Sequence, residues 1–274
     1  MRITVALVAD TFREAFARKI FWGLFGLSTL MILFFLFIMK IDIIEGAVAT
    51  ISLFGQQSPR QWEVGRLVRQ VQSSIAVFLY TWGMALAVFA SSGLIPSVLE
   101  PGRIELLLSK PVRRWHIITG RYVGNALVVG LNIAYLVLGV WSILGWKTGL
   151  WPKAFLFTIL FTLFIFAVLL AVVVLIGVIF ESPALATMVT VALMILSPIL
   201  AQKNVMERLL SSEWSRNIWR GLYWALPKVY DVGRMTQDYV FDRTVENYAP
   251  LWSSAAFAAV VIALAVLIFS RRDF

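Results

Sequence analysis

The chain has 274 residues, 60% of them hydrophobic and 14% charged, against the roughly 45–50% apolar and 25% charged usual for a soluble domain. Its formal net charge of +9 would point to nucleic acid in a soluble protein, but here Lys and Arg sit in short segments flanking apolar runs, where anionic headgroups attract them, and no nucleic-acid partner is expected. The absence of cysteine and the single histidine, His116, exclude disulfides, thiolate chemistry and a His- or Cys-built metal or haem site, so neither metal nor cofactor is expected.

Residues 1–19 read as an amphipathic helix. Val5, Val8, Phe12 and Phe16 recur on one face, while Asp10, Arg13, Glu14 and Arg18 fall opposite, with Glu14 and Arg18 placed for an i,i+4 pair. The helix is expected to lie in the membrane interface and to feed the first span at Lys19.

At 1.5 Å per residue, crossing a hydrocarbon core of ~30 Å takes about 20 apolar residues. Six stretches qualify: Ile20 to Met39, Ser74 to Ile95, Tyr122 to Gly145, Ala154 to Phe180, Pro183 to Ala201 and Ala249 to Ser270. The first is too long for a typical signal-peptide core and reads as an uncleaved span. From Lys40 to Ser73 the chain is polar and ends in a helical pattern, Val64, Leu67, Val68 and Val71, that runs into the second span. Glu181 and Ser182 alone join the fourth and fifth spans; Pro183 suits a first helical turn, and Pro198 predicts a kink or early end. In the outer segment 202–248, Leu210, Trp214, Ile218 and Leu222 alternate with polar residues, predicting a second amphipathic helix on the outer surface. The fold class expected is thus an all-α integral membrane protein, one domain over 1–274, with six spans, an N-terminal interfacial helix and an outer amphipathic segment before the last span. Six spans place both termini on one side. That side carries 11 Lys and Arg against 13 opposite, but packed into shorter segments, so the termini are expected in the cytoplasm.

No Asp, Glu, Lys, Arg or His falls within the six apolar stretches. Intramembrane ionisable groups mark proton and ion pathways, and intramembrane enzymes need acid, base or metal at depth, so the spans are expected to move under force applied from outside. Asn125, Asn132 and Tyr135 lie near one face of the third span, suited to interhelical hydrogen bonds or, less often, to a substrate pathway. Gly120 and Gly124 form a small-xxx-small pair at its entrance.

The segment 96–121 joins the second and third spans. Its stretch Leu99 to Gly124 reads LEPGRIELLLSKPVRRWHIITGRYVG, with Pro and Gly punctuation, a short apolar helix from Ile104 to Ser109 and a basic cluster. This stretch resembles the corresponding connection of ABC-2-type transporter permeases at Glu100, Gly102, Glu105, Leu106, Leu107, Leu108, Ser109, Pro111, Arg114, Gly120, Arg121 and Gly124. Pro101 and Arg103 depart from the family pattern. The resemblance implies a permease, itself not an enzyme, in the inner (plasma) membrane, paired with a second permease subunit as a homo- or heterodimer and with two copies of a cytoplasmic ABC ATPase. It implies an exporter moving substrate by alternating conformations; the rival reading is a non-transporting membrane anchor for the same ATPase. The loop 96–121 would then be the cytoplasmic coupling loop, with Glu100, Gly102, Arg103, Glu105, Ser109, Lys110, Pro111, Arg113 and Arg114 as ATPase-coupling residues. No Gly-Lys dipeptide, and so no P-loop, occurs in the chain. Membrane lipid is the remaining partner.

Overall fold

The computed structural model describes residues 2–17, 19–44, 48–53, 56–57, 62–93, 96–99, 102, 113–202, 205, 209, 212–245 and 247–272. Among them, six helices are long and apolar enough to cross a membrane: Phe21–Ile38, Val64–Leu99, Arg114–Thr148, Lys153–Phe180, Pro183–Ala201 and Ala249–Arg271. The chain enters through α1 (Arg2–Ala17) and α2 (Lys19–Leu33), which closes in a π-helical turn, Phe34–Ile38. Helix C-termini leave carbonyls without amide partners. Here Lys147 supplies them: its Nζ donates to Phe35 O at 2.7 Å, Leu36 O at 2.8 Å and Met39 O at 2.6 Å.

A short antiparallel sheet follows, which the helical reading does not anticipate. Strand β1 (Met39–Ile44) pairs with β2 (Val48–Leu53), Met39 opposite Leu53 and Ile44 opposite Val48. Strands β3 (Gln56–Gln57) and β4 (Trp62–Glu63) also pair with β2. The β-branched residues Ile41, Ile43, Ile44, Val48, Thr50 and Ile51 favour this extended pairing.

Helices α3 (Val64–Phe78) and α4 (Met84–Ser91) form one rod through a π-helical turn, Leu79–Gly83, so the Val64 to Val71 pattern does run into the second span. After α5 (Pro96–Leu99) and the coupling segment, α6 (Arg114–Thr148) starts eight residues before Tyr122, making the end of the predicted loop helical. Next come α7 (Phe157–Phe180), α8 (Pro183–Ala201), α9 (Glu213–Ala225), α10 (Val229–Val240) and α11 (Ala249–Arg271). Ser182 caps α8, its Oγ accepting from Leu185 N at 3.4 Å, with Pro183 in the first turn as expected. Pro198 does not end that helix, which continues to Ala201.

Helix α7 is apolar on every side, the signature of a buried helix, and it packs against α4, α6, α8, α10 and α11. Its Ile165, Phe166, Leu169, Ala171 and Val178 are fully buried. Between residues 202 and 248, where one amphipathic helix is expected, the described residues form both α9 and α10, and Val205 and Leu209 are helical as well. Helix α9 leaves Trp214, Ile218 and Leu222 exposed, as an amphipathic surface helix would. Helix α10 instead buries Val229, Val232, Met235 and Val240 against α3, α7 and α8. Polar contacts hold it in position: Tyr80 donates to Val229 O, Ser197 Oγ accepts from Tyr230 N at 3.0 Å, and the buried Lys228 donates through N to Ser254 Oγ at 3.0 Å and through Nζ to Ser253 Oγ at 2.8 Å. That ammonium also lies over the Trp224 ring, 4.5 Å from its centroid.

Candidate coupling site

Helix α1 docks on the start of α6, and glycine makes the approach possible. A Cβ on Gly120 would lie 2.8 Å from Leu7 Cβ, and one on Gly124 2.7 Å from Thr11 Cβ, both closer than side chains tolerate. The small-xxx-small pair therefore serves the interfacial helix rather than another span. The docked face of α1 is Leu7, Thr11 and Ala15, all buried, a rotation away from the predicted apolar line; Val8 and Phe12 are half-buried and Phe16 is exposed. The reason is electrostatic. Arg121, fully buried one residue past Gly120, donates to Glu14 and, at 3.1 Å, to Asp10 Oδ2. A guanidinium in such a place requires acids, and they turn α1 toward it. Glu14 is thus committed across helices to Arg121, while Arg18, its predicted partner, lies outside the described residues.

Glu14 Oε1 also accepts from Ser97 Oγ at 3.2 Å. Ser97 belongs to α5, where the second span ends, and Arg121 to α6, where the third begins. One carboxylate therefore joins α1 to both flanks of the connection between the second and third spans. A second clasp sits beside it. Arg114 donates to Ser270 O at 3.3 Å and to Arg272 O, closing the C-terminus of α11. Arg272 in turn donates to Val178 O at 2.6 Å and pairs with Glu181, the residue that takes φ +52° in the turn between α7 and α8. Helix α1, both flanks of that connection, the α7–α8 turn and the end of α11 accordingly share one end of the molecule.

Of the predicted coupling residues, Glu100, Arg103, Glu105, Ser109, Lys110 and Pro111 lie outside the described residues, as does the Ile104 to Ser109 helix. Gly102 occupies a turn at φ +83°, Arg113 is exposed at the N-cap of α6, and Arg114 is the α11 clasp. Asp10, Glu14, Ser97, Glu181 and Arg272 were not legible as a site; the one signal was Arg121 standing between Gly120 and Gly124. In the membrane, Asn132 Oδ1 accepts from Ser28 Oγ at 3.1 Å, and the Tyr135 and Thr29 hydroxyls lie 3.3 Å apart. Tyr135 also stacks on Phe25, centroids 4.6 Å apart. These bonds tie α6 to α2. Asn125 is buried, and among the described residues neither its Nδ2 nor that of Asn132 has a hydrogen-bond partner.

Six long apolar helices, with α1 tied to both flanks of a polar connection by a buried ion pair and its hydrogen bonds, define a multi-pass membrane protein. The model of the ABC-2 family transporter proteins matches residues 5–274, nearly the whole chain. The chain belongs to that family and is the transmembrane component of an ATP-binding cassette transporter, the non-catalytic membrane subunit. No curated protein matches it.

Proposed function

We propose that the chain is an exporting permease of the inner (plasma) membrane with both termini in the cytoplasm. It works as a homo- or heterodimer with two copies of a cytoplasmic ABC ATPase, and it moves substrate by alternating conformations. The coupling residues are Glu100, Gly102, Arg103, Glu105, Ser109, Lys110, Pro111, Arg113 and Arg114. The observation that carries this reading is Glu14, whose carboxylate meets Ser97 on one flank of the coupling segment and Arg121 on the other. A push on residues 100–112 from the ATPase would reach α1, α4 and α6 together. Arg114 and Arg272 extend the same push to α11 and the α7–α8 turn. Such coupling needs the nucleotide-bound ATPase to prefer one permease conformation by a few kcal/mol. Asn132 and Tyr135 then serve as packing contacts, and Asn125, whose Nδ2 finds no partner among the described residues, serves in packing or in a pathway.

The test is transport and ATPase stimulation in reconstituted vesicles. Because Arg114 also closes α11, Glu105→Lys reads docking cleanly, and Glu105→Lys with Arg114→Glu reads docking and clasp together. Both variants should uncouple hydrolysis from transport. Unchanged coupling in Glu105→Lys would remove the loop from the mechanism, and ATPase binding without any transport would favour the anchor reading.

A further inference from the structure

A groove of about 190 Å³ runs between α1, α2 and α6. Its walls are Phe12 and Phe16 from α1, Trp22 and Phe25 from α2, and Val128 and Leu131 from α6. The corner is fixed, since Trp22 Nε1 donates to Phe16 O at 2.9 Å and the Phe16 and Phe21 rings meet edge to face, centroids 4.7 Å apart. Phe16, Trp22 and Leu131 are nevertheless exposed, so the groove is a formed concavity that the chain leaves open. Its floor is Asn132, eleven residues beyond Arg121, which places it ~16 Å deeper along α6. That is about half of a ~30 Å hydrocarbon core, the depth of one leaflet.

The mouth is basic for a reason found in the coupling site. The acids of α1 near it, Asp10 and Glu14, are drawn to Arg121, which leaves Arg13 and Lys19 exposed beside Phe16 and Trp22. The geometry points to a binding site for an anionic glycerophospholipid of the leaflet facing the termini, with one acyl chain in the groove and the headgroup at Arg13 and Lys19. A second copy of this chain is the poorer occupant. Across a twofold axis at this groove Arg13 and Lys19 would face themselves, and like charges repel where a lipid phosphate is attracted. The site does not depend on the ATPase reading, because the full-length permease should bind lipid alone.

The experiment titrates the purified protein in neutral detergent with dibromo-acyl phosphatidylglycerol or phosphatidylcholine and follows tryptophan quenching. Trp22 is one of 11 tryptophans, so its share is the difference between wild type and Trp22→Phe. That share should saturate, with phosphatidylglycerol preferred about 30-fold, from ~1 kcal/mol for each of two basic residues. Arg13→Gln with Lys19→Gln should abolish the preference, and Leu131→Trp, which fills the groove while leaving the charges, should abolish saturable binding of both lipids. Equal affinity for the two lipids, or no Trp22 component, overturns the proposal. So does a Trp22 that becomes quenchable only when a dimer dissociates, which would assign the groove to a second copy.

Discussion

Replacing Arg121 with Met keeps an unbranched stem of similar reach and removes the guanidinium, leaving Glu14 against α6 without its cation. The Arg121 side chain is 1% exposed, that of Glu14 14% and that of Asp10 56%. Removing one partner of a buried pair costs ~3–5 kcal/mol, whereas the half-solvated Asp10 contact adds no more than ~1 kcal/mol. The loss should fall on the docking of α1, because Ile117, Ile118 and Val128 of α6 are buried independently of the pair. Backbone amide exchange in α1 should therefore accelerate by roughly 100- to 4,000-fold, at a factor of ten per 1.4 kcal/mol, or reach the unprotected limit, while α7 stays protected. Adding Glu14→Leu removes the stranded carboxylate and should recover most of the loss, because a buried pair exchanged for apolar groups is often neutral. If exchange in α1 stays within threefold of wild type in Arg121→Met, or if the double variant is worse than the single, the pair does not hold the helix.

Gly124→Leu should undock α1 by overpacking against Thr11, at a cost of ~1–3 kcal/mol; faster proteolysis ahead of Lys19 with an intact membrane core is the expected pattern. Lys147→Met deprives three carbonyls at the end of the first span of their donor and should cost ~2–4 kcal/mol, since hydrogen bonds to a charge are worth ~1.5–3 kcal/mol each in isolation and water can replace some of them. Thermal unfolding in nanodiscs measures it. The Tyr223 hydroxyl donates to Asp231 Oδ2 at 2.7 Å, and burial first, then that bond, raises its pKa above the ordinary 10.0. The protonated phenol thus contributes in full below pH 10, and its contribution is lost as pH rises toward the folded-state value. The gap in stability between wild type and Tyr223→Phe, about 1 kcal/mol, should be flat at neutral pH and close in strong alkali.

Span count and most span ends were legible because the hydrocarbon core imposes a length and forbids charge, which fixes apolar runs such as Pro183 to Ala201 to within a residue. The start of α6 was not, since Arg114 and His116 read as polar loop, while Ile117 and Ile118 bury about one turn ahead of the apolar run. The sheet was missed because strands of six residues between Met39 and Leu53 compete with a long apolar signal before them. Helix α10 carries an apolar pattern, Val229, Val232, Met235 and Val240, but it is short and interspersed with Asp231, Arg234 and Asp238, which read as a solvated segment. The face of α1 was read one-sidedly for a different reason: apolar spacing selects the Val8, Phe12 and Phe16 side, but a buried cation on another helix decides which side docks, and no local pattern encodes that.

The placement of charge has a mechanical corollary. A titratable group at mid-bilayer costs at least ~2.5 kcal/mol, so the strong, directional contacts of this chain are confined to span ends, leaving apolar packing and weak neutral bonds such as Ser28 with Asn132 in between. At the end that carries α1, Arg114, Arg121 and Arg272 link α1, α6, α7 and α11 through helix termini and acids. At the opposite end the same α6 holds α2 through Lys147. Helix α8 packs on α4, α7, α9 and α10, and its start follows directly on Glu181, which Arg272 holds. On the proposed coupling, a force delivered at residues 100–112 would therefore be carried by α6, which holds α1 and α11 at one end and α2 at the other.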